Sequence, residues 1–153
     1  MSAYASVVAE ILFRLNYHSA SNEILAGMKV FGYPVASVEG MNDLPQVRIG
    51  MPEVQEQFRV RLPRLHRMEV RLLVSTRREG GVAAHLVWVE KVLDAIEKKS
   101  EIGTAIDPLL NNMLRKPLDV RSSGSFAEDL TLNQALTLTV APKTIVQSGK
   151  RRL

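Results

Sequence analysis

Between His66 and Lys99 the chain passes from strand alternation to helical periodicity across a Gly-Gly turn, and no other feature constrains its fold as much. In HRMEVRLLVST, Met68, Val70, Leu72 and Val74 point one way, while Arg67, Glu69, Arg71 and Ser75 point mostly the other. That is the period of 2 expected of a half-buried strand. After RREGG (Arg77 to Gly81) the period changes to 3.6. Val82, Leu86, Val89, Leu93 and Ile96 then share one helical stripe, the expected core face of a long helix. Gly80-Gly81 precedes a helix N-terminus, but neither GxGxxG nor GxxxxGK[ST] is present, so it reads as a strand-to-helix turn.

The flanking segments supply the remaining layers. Tyr4, Val8, Ile11, Leu12 and Leu15 predict an N-terminal amphipathic helix with Ser2 as its N-cap. From Asn16 to Met41 the pattern is ambiguous, allowing a short helix near Glu23 to Met28 and then a connecting loop through Gly32, Pro34 and Gly40. PQVRIG (Pro45 to Gly50) reads as a short strand. VQEQFRVRL follows, with Val54, Glu56, Phe58, Val60 and Leu62 on one face, and Pro63 interrupts it before the His66 strand. The two form either a hairpin or one long strand broken at a bulge.

Beyond the long helix the signals weaken and then recover. Asp107-Pro108 opens a short helix that would bury Leu109, Leu110, Met113 and Leu114. PLDV can be a strand, and RSSGS (Arg121 to Ser125) reads as a turn-rich connection. In DLTLNQALTLTV, Leu130, Leu132, Leu136, Leu138 and Val140 share one face, opposite Thr131, Asn133, Thr137 and Thr139, and Pro142 ends the strand. The tail from about residue 143 is basic and expected to be mobile. The expected fold is one α+β domain over residues 1–153. It has a mostly antiparallel sheet with a long β-hairpin, flanked by the N-terminal helix and one long amphipathic helix.

Composition excludes several function classes. At 153 residues and 46% apolar content the chain can bury a hydrophobic core. It has no cysteine, so disulfides, thiolate metal sites and a Cys nucleophile are excluded. No stretch approaches the ~20 apolar residues of a membrane span, and the opening residues lack the order of a signal peptide. His85 falls within the apolar arc of the long helix, far in sequence from His18 and His66 and outside any HxxxH or HExxH pattern; it reads as a packed or edge histidine. Trp88 reads as a core-edge aromatic. Ser122, Ser123 and Ser125 near Glu128 and Asp129 lack a GxSxG elbow and a local histidine, which favours a turn over a nucleophile. Glu90, Asp94 and Glu97 read as a solvated helix side, with Asp94 and Lys98 an i,i+4 pair. No enzyme signature, metal site or cofactor site is expected.

Charge is concentrated where the strands are. From Arg48 to Arg78 there are eight arginines, no lysine, and only Glu53, Glu56 and Glu69, a local charge of +5 in a chain of net +4. Arginine without lysine suits planar, bidentate pairing at an interface. A hairpin reaching beyond the body of the domain would bring Arg59, Arg61, Arg64 and Arg67 together, and Arg77 and Arg78 stand in the turn before the helix. On that helix Ala83, Ala84 and Val87 fall toward the polar side, a small apolar patch suited to packing against another subunit.

The order of elements resembles the tail terminator (tail completion) proteins of long-tailed bacteriophages, including the tail-to-head joining proteins of the neck. The resemblance is carried by ASVVAEILFRL, PQVRIG, MEVRLLVSTRREGGVAAHLVWVEKVLDAIE and LTLNQALTLTV, and spans Ala3 to Val140. It implies a virion protein made in the host cytoplasm, whose copies form a homo-hexameric ring at the head-proximal end of the tail tube. Such a ring stops tube polymerisation and offers a surface to head-completion proteins. Its partners would be itself, the tail tube protein and a head-completion or neck protein, with no membrane and no specific nucleic-acid ligand. Arg59, Arg61, Arg64, Arg67, Arg77, Arg78, Ala83, Ala84 and Val87 are the candidate assembly residues, chosen from charge and position. The alternatives are another neck, connector or minor tail protein, or a nucleic-acid-binding domain using the Arg48 to Arg78 block. Against the last, aromatic residues for base stacking are only 5% of the chain.

Overall fold

The computed structural model describes residues 3–20, 24–32, 44–59, 62–97, 114, 119–128 and 130–142. The expected tail from about 143, the Asp107-Pro108 helix, the Ser2 cap and Lys98 lie outside these residues. The described elements are α1 (Ala3–His18), β1 (Lys29–Phe31), β2 (Gln46–Ile49), β3 (Glu53–Arg59), β4 (Leu62–Arg77), α2 (Gly81–Glu97), β5 (Asp119–Ala127) and β6 (Thr131–Val140). A 3-10 turn, Arg78–Gly80, joins β4 to α2. The fold is α+β, with the expected hairpin and the two expected helices. Among the described residues no helix is long and apolar enough to cross a membrane.

Six strands form one sheet in the order β1-β2-β4-β6-β5, with β3 also beside β4. Among the described strands only the β1–β2 pair is parallel. The central strand is β4, whose Met68, Val70, Leu72 and Val74 are all buried, as their alternation predicts. Each such side chain contributes ~1.5–3 kcal/mol on burial. Val47 and Ile49 on one side and Leu136, Leu138 and Val140 on the other lie across the same face of β4. This core is completed by Val7, Ile11 and Leu15 of α1 and Val89, Val92, Ala95 and Ile96 of α2.

β2 and β3 lie end to end along one edge of β4, since β2 pairs with Leu72 to Ser75 and β3 with Leu62 to Glu69. The Gly50 amide still donates to the Arg71 carbonyl (2.8 Å) between them. Of the two sequence alternatives the hairpin is realised, with β3 and β4 paired antiparallel, while β2 continues the line of β3 along the same edge, separated from it by Gly50 to Pro52. Pro63 lies inside β4 rather than before it. On its opposite edge β4 meets β6 only from Met68 onward. Leu62 to Arg67 thus outreaches β6, by about 20 Å of strand at ~3.3 Å per residue.

Three sequence expectations are corrected. Ile24 to Gly27 form turns, not a helix, with Gly27 at φ 90, and the loop expected to follow begins with β1. RSSGS is not a connection but the middle of β5, which pairs with β6 through a register shift between Ser122 and Gly124. Ser and Gly have low strand propensity, yet a partner as regular as β6 supplies the hydrogen bonds that hold them extended. The polar side of β6 is not simply solvated either, because Thr131, Asn133 and Thr137 are buried along with Leu136 and Leu138. Asn133 sits in a row with Gln46, Ser75 and Phe126 across four strands. The Ser75 Oγ donates to Asn133 Oδ1 (2.6 Å), and Asn133 Nδ2 donates to Thr131 Oγ1 (3.0 Å), so these buried polar groups are paired.

Candidate functional site

α2 buries a different stripe from the one its spacing suggests. His85, Val89, Val92, Ala95 and Ile96 are buried, whereas Val82 is 64% and Leu86 49% exposed. Leu93 is half-buried, packed against the core. The reason is that the apolar arc of this helix is wide. Val82, Ala83, Ala84, Leu86 and Val87 cover most of its first two turns, so periodicity alone does not choose the side that meets the sheet. The choice is made by Thr76 at the end of β4, whose Oγ1 lies 2.8 Å from His85 Nδ1. That contact rotates His85 inward and turns Val82 and Leu86 outward. α1 shows a smaller rotation of the same kind, with Val7 buried in place of Val8 and Leu12.

His85 is therefore a packed histidine. Burial lowers its pKa from the usual imidazole value, and a side-chain hydrogen bond with Gln134 partly opposes that shift. Trp88 is half-buried at the core edge, with Lys91 Nζ 4.5 Å above its ring. Among the described residues no group of three or more His, Asp or Glu side chains could hold a metal ion.

The predicted patch residues are on the surface: Ala83, Ala84 and Val87 are all exposed. Val82 and Leu86 join them beside a groove of about 350 Å³ between α2 and the β5–β6 end; Phe126 of β5 is exposed too, but its register with Asn133 puts it on the face of the sheet opposite His85. The groove floor includes His85, Leu132 and Gln134. Exposed Leu130 lies in the β5–β6 turn, whose carbonyl accepts from the Arg78 amide (2.9 Å) at the start of the helix. Val82, Leu86 and Leu130 were missed as surface residues because alternation and helical spacing assign each of them to a core stripe. The available signal was the histidine, since a polar ring inside an apolar arc with a threonine across the turn marks the inward side.

The arginines divide into two groups. Arg77 ends β4 with Nη1 3.5 Å from Glu79, and Arg78 Nη1 donates to the Glu128 carbonyl (3.3 Å), so both support the turns around α2. Arg71 faces Glu53 (3.8 Å) and Glu69 (3.6 Å) on the outer side of the sheet. The hairpin group is placed differently. Arg67 is exposed and registers with Gln55, while Arg59 registers with Leu62 near the distal end; Arg64 lies between, in β4. Arg61 lies outside the described residues. Strand pairing places Arg59, Arg64 and Arg67 at successive positions along the hairpin.

Compared with known proteins, no family model matches the chain and no curated protein matches its sequence.

Proposed function

We propose that this chain is a structural subunit of a ring that caps the head-proximal end of a long phage tail tube, ends tube polymerisation and offers a surface for head attachment. The observation that carries the reading is the hairpin: Leu62 to Arg67 of β4 outreaches β6, paired only with β3 among the described strands. A β-hairpin extending past its sheet gains little for the monomer, because it has few neighbours to bury against. It makes sense where another molecule covers it. The exposed apolar surface of α2 supports the same reading, since a ring subunit needs two distinct contact surfaces.

The nucleic-acid alternative is weakened by the pairing of its basic block. Arg71 stands between Glu53 and Glu69, and Arg77 stands against Glu79, a carboxylate outside the Arg48 to Arg78 block, so part of the block's positive charge is paired within the chain. Another neck or connector role shares the same surfaces and differs only in what they meet.

The test is electron microscopy of the purified protein, alone and with tail tubes. Six-fold rings, or rings at one tube end, are the expected result. Arg59→Glu combined with Arg61→Glu should abolish capping while far-UV circular dichroism stays native. Monomers that ignore tubes, or normal tail joining by the double variant, would refute the reading.

A further inference from the structure

We infer that the groove between α2 and the β5–β6 end receives the distal hairpin of a second copy of this chain, making the subunit contact heterologous, hairpin into groove. This rests on the ring reading and specifies its interface. The argument begins with composition at the two ends of β4. From Gln57 to Met68 the chain carries Arg59, Arg61, Arg64 and Arg67 with no acidic residue, interleaved with Phe58, Val60, Leu62 and Leu65. At the other end the groove presents exposed Val82 and Leu86.

The stripe of α2 that continues from Leu86 is acidic: Glu90 and Asp94, four and eight residues further on, are both exposed. Glu79, before the helix, is held by Arg77. A basic, apolar hairpin and an acidic, apolar groove are complementary in both respects.

Geometry makes the match intermolecular. The hairpin leaves the sheet at the Leu62 end of β4, whereas Thr76, which holds His85 under the groove, is at the other end of the same strand. At ~3.3 Å per residue the two ends are roughly 45 Å apart, so a straight strand cannot deliver its own hairpin to its own groove. Complementary surfaces at opposite ends of a rigid element pair head to tail, the arrangement that closes into rings.

The experiment mixes two full-length variants, each carrying one damaged surface. The hairpin variant is Arg59→Glu with Arg61→Glu, and the groove variant is Val82→Glu with Leu86→Glu. The groove residues are exposed, so both variants should fold; Glu90→Arg serves as a milder second groove variant. Sedimentation velocity reads the result. Wild type is expected to form rings, and each variant alone should associate at least about 100-fold more weakly. An equimolar mixture should give a heterodimer and nothing larger, because one intact hairpin meets one intact groove.

Rings formed by both groove variants would give the groove to another occupant and overturn the inference while the ring reading stands. Loss of rings by both variants with no heterodimer on mixing would also overturn it, since both surfaces would then belong to one isologous contact. A wild type that stays monomeric with and without tubes would remove the ring reading and this inference together.

Discussion

Replacing Arg14 tests how the two helices are held to each other. Arg14 is only 4% exposed, its Nε lies 3.0 Å from Glu10 Oε2, and its Nη1 donates to the Ile96 carbonyl in the last turn of α2. One guanidinium thus neutralises a carboxylate one turn away and satisfies a carbonyl at the negative end of the neighbouring helix. Arg14→Met keeps most of the stem volume and removes both interactions. Breaking a buried ion pair from one side costs ~3–5 kcal/mol, because the remaining charge is uncompensated. Glu10 retains 18% side-chain exposure and therefore some water. That discounts the expected loss to roughly 2–4 kcal/mol. For a chain of this length the melting temperature falls ~2–4 °C per kcal/mol, a drop of about 4–16 °C.

Urea unfolding, read by circular dichroism with an unchanged m-value, measures the loss directly. Glu10→Gln in the Arg14→Met background removes the stranded charge and should recover at least ~1 kcal/mol, the non-additivity expected of contacting residues. An Arg14→Met cost below ~1 kcal/mol, or no recovery in the double variant, would refute the reasoning.

Two further predictions concern the turn and the packed histidine. Gly81 opens α2 at φ 85, ψ 169, a region essentially restricted to glycine, so Gly81→Ala should cost ~1–3 kcal/mol. Gly80→Ala, whose added Cβ would meet only the Ala84 Cβ at 3.8 Å, should be nearly neutral in the same thermal melts; equal losses at the two positions would defeat the assignment. Because burial lowers the His85 pKa below 6.5, the unfolded state binds more protons between the folded and unfolded values, and stability must fall as pH drops through that window. Between about pH 7.5 and about pH 5.5 wild type should therefore lose more stability than His85→Asn, and parallel pH profiles would exclude the mechanism.

The assembly candidates were legible to different degrees. Arg67 is exposed, as charge and alternation suggest, and Ala83, Ala84 and Val87 lie on the surface where the polar side of the helix was read. Val82 and Leu86 were not legible as surface, because leucine and valine at helical spacing look alike whether they meet the sheet or solvent. Arg77 and Arg78 looked like free cations and are engaged around the α2 turn. Arg14, which joins the helices, carries no sequence signal, since its contact with Ile96 spans residues far apart in the chain.

By itself the sequence determined what depends on neighbours along the chain: the alternation of β4 and β6, the Gly-Gly turn, and the α1 and α2 segments. These follow from backbone periods of 2 and 3.6, which are local properties. Tertiary structure decided the rest. β1 is a strand because β2 lies parallel to it, and Ser122 to Ser125 are extended because β6 pairs with them. Which side of α2 faces the core was settled by Thr76 reaching His85. In each case the local energies of the alternatives are close, and the contact that separates them is made by a residue distant in sequence or across a turn.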